Sequence, residues 1–380
     1  MKVFTLILLG LIFNLKCQQI YLWNILKSDG KTGFIDSLGN EVFTDNYDYL
    51  DTEFKDGLVF FKKRNKSGFL NSRGNIVFYS KIDNGQFSEG LLNVNDNGNF
   101  YYLNVNGKIT LNLKQLELPK GKKISKIYPF SCGLALVRLQ NIGHNDIDFG
   151  ATDIEYSGNR YPDDWIFGFI NRKGQWVIKP TIEEPSEFVD GLCVIKRNGK
   201  LQYVDTLGNI ISTIEDSNVD DNSEGFGIVF TDNDSCFFIN KYGKRLGNLC
   251  FRRAHAFHEG LAAVEINDNW GFIDTTGQIS IEPKYYSAND FNAGLSAVSI
   301  IVKENDYDLG YYFKECIIDK KGNIIIPYDS HVDYHFKGFQ NGLIGGQKGI
   351  YNEHKEYTGW YELFYMDKNG KKIWRDILKQ

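Results

Sequence analysis

The chain has 380 residues with a formal net charge of −5, and 15% of its residues are aromatic and 24% charged. This acidic balance argues against a nucleic-acid partner, because binding to phosphates depends on clustered Lys and Arg; the short basic runs at 62–64 and 120–123 are interpreted as solvated turns. The abundance of Gly (38 residues) and aromatic residues is typical of turns and pleated strands, so an all-β fold is predicted.

The first 17 residues have the pattern of a secretory signal, with Lys2 followed by an apolar run from Val3 to Phe13. This run is shorter than the roughly 20 residues of a membrane-spanning helix, and no later segment approaches that length. Cleavage after Cys17 predicts simple secretion, whereas cleavage before it predicts a lipoprotein lipidated on Cys17, although bulky Lys16 counts against the lipoprotein. A first buried strand or helix at 3–13 is the other alternative. We expect a signal peptide at 1–17 and an exported body at 18–380, in the periplasm, outer envelope or extracellular space.

A two-part phrase of 33 to 35 residues recurs along most of the body. Its first half, Phe-x-x-Gly, has phenylalanine at positions 54, 87, 130, 188, 257, 291 and 339. Its second half, Asp/Asn-x-x-Gly, has glycine at positions 39, 74, 107, 174, 208, 243, 277, 322 and 370, and five of the eight steps between these glycines are 33 to 35 residues. A period in this range indicates about nine similar units, with ten as the alternative, each too small to bury its apolar face alone.

Each unit is predicted to consist of short antiparallel strands. In the clearest copy, the run from Trp270 to Ile273 leads into a turn that begins at Asp274 and ends at Gly277. The Asp side chain can accept the backbone N–H two residues later, and the Gly supplies a positive φ without steric cost. Ile279 and the residues after it then alternate apolar with polar, which is the period of a strand with one buried face. About three strands of five or six residues, with their turns, fill one period.

These motifs resemble the WG repeat, also called the KWG repeat, of bacterial proteins over residues 31 to 372. The best match runs from Phe257 to Tyr285 and contains the Trp270-Gly271 pair for which the family is named. The glycine of that pair recurs at 33, 68 and 168, and is replaced by Tyr101, Gln202, Phe237, Cys316 and Phe364 elsewhere. The resemblance implies repetitive β-structure and interaction-related roles, and it brings no catalytic residues and no cofactor.

The units can stack as an open array or close into a ring. We expect an open, solenoid-like array, because nine units with unequal insertions exceed the roughly 4 to 8 four-stranded blades of a typical β-propeller. A propeller-like ring is the alternative.

Extra chain interrupts the period near 109–127, 138–165, 302–314 and 344–362. Insertions in repeat arrays map to loops on one face, and Tyr, Trp and Arg are the residues that most often anchor interfaces. These aromatics can instead cover the insertions' own small cores, and that alternative stays open. The candidate partner-binding residues in these insertions are Tyr156, Arg160, Tyr161, Trp165, Tyr311, Tyr312, Tyr357, Trp360 and Tyr361.

Motifs for metal binding and catalysis are weak in this sequence. The close histidine pairs are 255/258 and 331/335, and on a strand the second pair would lie about 13 Å apart, too far for one zinc ion. The acidic segment 216–224 has some oxygen-ligand spacing of a calcium loop but lacks its central glycine, so calcium there stays open beside a solvated acidic loop. The five cysteines after Cys17 are interpreted as small buried apolar residues.

We therefore expect an exported, non-enzymatic binding or scaffolding protein without a metal or cofactor. Aromatic side chains can serve a protein or a glycan partner, and the two are not separable at this stage. The alternative is an envelope hydrolase with a carboxylate pair in the inserted loops, such as Asp163 and Asp164. Such chemistry needs two carboxyl groups across a cleft, so convergent acids in a deep pocket would favour the enzyme and a broad aromatic ridge the binding protein.

Overall fold

A computed structural model describes residues 21–379 except 81, 83–84, 144–164, 215–218, 232, 304–310, 331, 335–338, 341 and 354–356. The described residues form nine antiparallel sheets that follow one another along the chain, here numbered 1 to 9. The first three sheets are built from β1 (Trp23–Leu26), β2 (Thr32–Ile35) and β3 (Glu41–Asp45); β4 (Tyr49–Leu50), β5 (Leu58–Lys63), β6 (Lys66–Asn71) and β7 (Ile76–Tyr79); and β8 (Leu91–Asp96), β9 (Asn99–Asn104) and β10 (Ile109–Asn112).

A short 3-10 turn, Leu113–Gln115, leads from the third sheet to the next three. These are β11 (Lys122–Ser131), β12 (Leu134–Asn141), β13 (Ile166–Asn171) and β14 (Trp176–Ile182); β15 (Glu184–Pro185), β16 (Leu192–Arg197), β17 (Lys200–Asp205) and β18 (Ile210–Ile214); and β19 (Val219–Ser223), β20 (Phe226–Phe230) and β21 (Cys236–Asn240).

The last three sheets contain the longest strands. They are β22 (Arg253–Ala254), β23 (Leu261–Ile266), β24 (Asn269–Asp274) and β25 (Ile279–Tyr285); β26 (Ser287–Ala288), β27 (Leu295–Lys303), β28 (Tyr311–Asp319) and β29 (Ile324–Ser330); and β30 (Val332–Asp333), β31 (Phe339–Gln340), β32 (Leu343–Tyr351), β33 (Tyr357–Asp367) and β34 (Lys372–Lys379). Strands pair in chain order within each sheet, except that β30 and β31 both pair with β32 in sheet 9.

The predicted Asp/Asn-x-x-Gly turns are present at all nine positions. In the copy at Asp274, the carboxylate Oδ1 accepts the backbone N–H groups of Thr276 at 2.8 Å and Gln278 at 3.1 Å. The closing glycine has a positive φ in every copy, for example +82° at Gly277. Since only glycine adopts this conformation without strain, the spacing of the motif follows directly from the turn.

The two halves of the repeated phrase meet across neighbouring sheets. In the six Phe-x-x-Gly turns whose side chains are described, the phenylalanine packs edge-on against an aromatic ring in the sheet before it. Phe291 lies 4.8 Å from Phe272, and Phe188 lies 4.8 Å from Phe169, measured between ring centroids. Each unit therefore buries its apolar face only when its neighbour is present, as expected for a repeat protein.

The first sheet packs against the last, so the sheets close into a ring. Trp23 and Ile25 of sheet 1 share a buried cluster with Leu343 and Trp374 of sheet 9. The Tyr365 hydroxyl donates to the carbonyl oxygen of Asn24 at 2.7 Å. The fold is an all-β propeller, which confirms the all-β prediction and the propeller-like ring given as the alternative, whereas the preferred open solenoid is wrong. The preference for it rested on the usual number of propeller blades, whereas closure depends on the contact between the two ends of the chain.

The two ends of each sheet differ in the connections they carry. Antiparallel order places the Phe-x-x-Gly and Asp/Asn-x-x-Gly turns at one end, called here the turn face. Lys320, in an Asp-x-x-Gly turn, pairs with Glu259, in a Phe-x-x-Gly turn, at 3.1 Å, consistent with both lying on this face. The hairpins between the two central strands and the links between sheets lie at the opposite end, the insertion face.

A relay of carboxylates joins successive turns on the turn face. The residue before glycine has a left-handed backbone, with φ of 49° to 54°, in the Phe-x-x-Gly turns that begin at 54, 87, 130, 188, 257 and 291 and in the equivalent turn of sheet 6, where Glu224 precedes Gly225. Its side chain accepts the backbone N–H of the following turn: Asp56 from Gly90 (2.7 Å), Glu89 from Gly133 (3.1 Å), Asp190 from Glu224 (3.0 Å), Glu224 from Gly260 (2.8 Å) and Glu259 from Gly294 (2.8 Å). Cys132 takes the same role with Gly191 through its sulfur at 3.3 Å. Ala293 has no side-chain acceptor, so the relay ends there.

Candidate interaction surface

All four inserted segments connect at the insertion face. Segments 138–165, 302–314 and 344–362 join the two central strands of sheets 4, 8 and 9, and 109–127 joins sheets 3 and 4. Strands β27 and β28 have 9 residues each and β32 and β33 have 9 and 11, against 6 in β23 and β24. Three extra residues add about 10 Å at roughly 3.3 Å per residue. The hairpins of sheets 8 and 9 therefore project beyond the regular units.

The hairpin of sheet 9 presents three aromatic side chains, called here the sheet 9 ridge: Tyr351, Tyr357 and Trp360. They are 40%, 43% and 41% exposed, respectively. Tyr351 pairs with Tyr357 across the two strands, and their rings lie 5.7 Å apart with a tilt of 56°. The Lys379 ammonium lies 5.8 Å from the centroid of the Trp360 ring. Rigid, amphipathic rings of this kind are the usual anchors of protein interfaces.

Sheet 8 carries a second exposed aromatic pair. The Tyr286 and Phe313 rings are stacked, with centroids 4.7 Å apart and planes inclined by 28°. Phe313 pairs with Ile301 across β27 and β28, and all three side chains are exposed. The sequence did not identify Tyr286 and Phe313 as surface residues. They are recognised only from the strand register in the structure, which places Phe313 opposite Ile301, beyond the length of a regular hairpin.

The structure separates the predicted partner-binding residues into four groups. Tyr357 and Trp360 are exposed in the ridge, and Tyr361 is half-buried beside them. The backbones of Tyr311 and Tyr312 belong to β28, but their side chains are not among the parts of the chain that the structure describes. Tyr156, Arg160 and Tyr161 lie outside the described residues. Trp165 is a core residue.

The prediction for Trp165 is corrected by its burial. The side chain is only 7% exposed and packs with Tyr128, Leu136 and Phe167. The Arg138 guanidinium covers its ring at 3.9 Å. Trp165 directly precedes β13, so it closes the core of sheet 4 and is not available to a partner.

Candidate metal ligands do not converge in the described part of the chain, where no group of three or more His, Cys, Asp and Glu side chains could hold a metal ion. His255 and His258 instead contact one carboxylate, that of Asp290, at 3.0 and 3.4 Å. The acidic segment 216–224 is not the loop that was expected: Val219–Ser223 forms β19, and 215–218 lie outside the described residues. His331 and His335 lie outside them as well.

The described cysteines are free thiols. Cys193, Cys236 and Cys316 are buried as expected, and burial raises the pKa of Cys193 to about 12 and that of Cys236 to about 11. Such thiols are poorly ionised, which fits a packing role. Two cysteines differ from the prediction: Cys132 is half-buried, and Cys250 is exposed, where its sulfur accepts a hydrogen bond from the Arg245 guanidinium at 2.9 Å.

Charged groups elsewhere serve the fold. The Glu265 carboxylate is buried and binds the Arg253 guanidinium at 2.6 and 3.2 Å. This hydrogen bond with Arg253 lowers the pKa of Glu265 below its usual value. Among the described residues, no helix is long and apolar enough to cross a membrane.

Four stretches match the family model described as "WG containing repeat": residues 33–66, 167–200, 251–270 and 270–300. The resemblance found in the sequence is thereby confirmed in these regions. A comparison with curated proteins finds no match.

Among solved structures, the chain is similar to one described as the crystal structure of the eukaryotic initiation factor. The two are 8% identical, with a TM-score of 0.53 over 95% of this chain and 97% of the other. At this identity the similarity concerns the fold alone. Citrobacter koseri AztD is 12% identical over 82% of this chain and 93% of its own length, and its TM-score of 0.38 is too low to define a shared fold.

Proposed function

We propose that this chain, whose WG-containing repeats form a β-propeller, is an exported, non-enzymatic binding or scaffolding protein. Its insertion face would hold a protein or glycan partner. The observation that carries the proposal is the sheet 9 ridge, where Tyr351, Tyr357 and Trp360 stand exposed on a hairpin longer than those of the regular units. Rings in this arrangement offer contact area at low entropic cost.

The contrast between the two faces supports this assignment. The turn face is occupied by nine regular Asp/Asn-x-x-Gly turns and by the carboxylate relay, whose polar groups are bonded to one another. The four inserted segments connect at the insertion face. Function on repeat scaffolds resides in such variable loops, whereas the regular turns hold the scaffold together. The hydrolase alternative depends on Asp163 and Asp164, which lie outside the described residues.

The test compares two surface variants on opposite faces. The double variant Tyr357→Ser/Trp360→Ser removes two rings of the ridge, and Tyr242→Ser removes a 66% exposed ring from an Asn-x-x-Gly turn on the turn face. We expect cross-linking capture from native envelope extract to recover a partner with the wild type and with Tyr242→Ser, and to lose it with the double variant. Equal recovery with all three proteins would contradict the assignment of the insertion face.

Export is tested separately by mass spectrometry of the native protein. A mature chain that starts at Gln18 indicates secretion, and a diacylated or triacylated Cys17 indicates a lipoprotein. Cys17→Ser should release a lipoprotein from the membrane and leave a secreted protein unaffected. A native chain that retains Met1 and fractionates with cytoplasmic markers would refute the export part of the proposal.

A further inference from the structure

Sheet 2 concentrates positive charge in an otherwise acidic protein. Four of the five residues 62–66 are Lys or Arg, while the chain as a whole carries a net charge of −5. They occupy the hairpin between β5 and β6, at the insertion face. The Lys63 ammonium pairs with Asp45. In the described part of the chain, the Arg64 side chain forms no ion pair, although Asp45 lies within range of its charge and the Asp48 carboxylate accepts its backbone N–H. An external anion at the guanidinium would therefore not have to displace an ion pair.

The basic hairpin borders a cleft of about 450 Å³. Phe61, Ile76 and Tyr79 form its apolar part, and Lys63, Arg64 and Lys66 its charged part. The cleft follows from the strand register, in which Phe61 and Tyr79 both pair with Gly68. Phe61 and Tyr79 therefore lie side by side, with ring centroids 6.5 Å apart, and the basic residues of the hairpin border them. The size of the cleft is that of a small-molecule site.

The backbone at Arg64 is unusual for its residue type. Arg64 has a φ of +54°, in the left-handed region that costs most L-residues about 1 to 2 kcal/mol. The same hairpin position in three other sheets holds Asn97, Asn198 and Asn267, also with positive φ. Asn tolerates this conformation better than Arg does. An Arg at such a position indicates a role for its side chain rather than for the turn.

We propose that this cleft binds an anionic sugar. The pyranose ring would lie against Tyr79, whose side chain is 54% exposed, because the partly positive C–H edges of a sugar pack on the negative face of an aromatic ring. The carboxylate, sulfate or phosphate of the sugar would bind Arg64 and Lys66, whose ammonium lies 5.3 Å from the Tyr79 centroid.

A nucleotide fits the same chemistry less well. Proteins that bind single-stranded nucleic acid stack bases on successive aromatic rings. The cleft has one exposed ring, because Phe61 is buried and inclined by 59° to Tyr79. The two rings cannot sandwich a flat base. The site is also separate from the sheet 9 ridge, since every residue that lines it belongs to sheet 2 or its hairpins.

The experiment is calorimetric titration of the mature chain with tetragalacturonate, a sulfated heparin tetrasaccharide, neutral maltotetraose and a dT oligonucleotide. We expect binding of at least one anionic sugar and none of maltotetraose. Arg64→Asn should weaken that binding at least about tenfold, since it removes a charge-assisted contact, and Tyr79→Ala should weaken it similarly. Arg64→Asn keeps the turn, because Asn already occupies this position in other sheets.

Two controls separate this site from other surfaces. Lys173→Asn removes an exposed charge from the turn face and should leave the affinity unchanged. Trp360→Ser alters the sheet 9 ridge and should also leave it unchanged, so failure of the sugar site and failure of the proposed function are distinguishable. Absence of binding to both anionic sugars, equal binding of maltotetraose, tighter binding of dT, or an unaltered affinity of Arg64→Asn would each overturn the proposal.

Discussion

Closure of the ring can be tested at a single glycine. Gly39, in the turn of sheet 1, has a φ of +84° and faces Ile373 of sheet 9. A Cβ atom added at Gly39 would lie within 3.0 Å of the Ile373 carbonyl oxygen, closer than real Cβ atoms approach. Gly30 of the same sheet has a φ of +83° and nothing within 4 Å of an added Cβ. Gly39→Ala and Gly30→Ala therefore share the backbone strain and differ in the contact with sheet 9.

The two variants should differ by a few kcal/mol. The left-handed conformation costs each alanine about 1 to 2 kcal/mol. Forcing a methyl group against a packed neighbour adds about 1 to 3 kcal/mol in Gly39→Ala only. We expect a loss in the free energy of unfolding of about 2 to 5 kcal/mol for Gly39→Ala and about 1 to 2 kcal/mol for Gly30→Ala.

Urea denaturation of both variants measures this difference, and hydrogen exchange locates it. Amides of sheets 1 and 9 near Asn24 and Tyr365 should exchange faster in Gly39→Ala than in Gly30→Ala, because the seam between the first and last sheets is strained. In an open array, sheet 9 would lie far from Gly39 and the two substitutions would be equivalent. Equal loss of stability in both variants, with unchanged exchange at the seam, would refute the closed ring.

Three further predictions concern the repeated unit. Phe291→Ala should lower the free energy of unfolding by about 3 to 5 kcal/mol in urea denaturation, because its buried ring packs on Phe272, whereas exposed Tyr242→Ala should change it by under about 0.5 kcal/mol; equal effects would contradict the packing between sheets. Glu259→Ala should speed hydrogen exchange at the Gly294 amide, and an unchanged rate there would show that the relay bond is not formed in solution. The pKa of four turn aspartates is lowered, chiefly by a hydrogen bond from a side chain of the same turn and also by backbone N–H groups. Their ionised form therefore stabilises the fold above the unfolded pKa, and this stabilisation is lost as pH falls through the folded pKa. Their joint replacement by Asn should lower the melting temperature slightly at pH 7, where the ionised groups stabilise the wild type, and reduce its fall between pH 5 and pH 2. An identical fall in the wild type and the variant would count against these shifts, which affect Asp36, Asp205, Asp274 and Asp319.

The local structure of each unit could be predicted because its causes are local. An Asp or Asn side chain reaches the N–H two residues on, and the closing Gly alone accepts the positive φ, so the motif at Asp274 and Gly277 specifies the hairpin without knowledge of the rest. The same reasoning predicted strands and not helices. For Tyr357 and Trp360, the sequence indicated only that they lie in an insertion. Their exposure could be established only from the structure, in which both lie on the long strand β33.

Closure and burial could not be predicted because they depend on distant residues. The bond between Tyr365 and Asn24 joins residues 341 positions apart, and no periodicity in the sequence encodes it. Trp165 is next to an insertion in the sequence, yet Arg138 covers it from the neighbouring strand. The cleft of sheet 2 arises from the cross-strand register of Phe61, Gly68 and Tyr79, which a one-residue slip would abolish.

The carboxylate relay has a direction, and that direction matches the order of synthesis. Each acceptor belongs to the earlier unit and each N–H donor to the later one, as in Asp56 with Gly90 and Glu259 with Gly294. A unit that emerges from a ribosome or a translocation pore therefore finds its acceptor already in place on the preceding unit. Growth from the N-terminus gives each new turn of the relay an acceptor on a unit that is already made, and the bond between Tyr365 and Asn24 forms only when sheet 9 arrives. The propeller can thus assemble progressively, with ring closure as its final step.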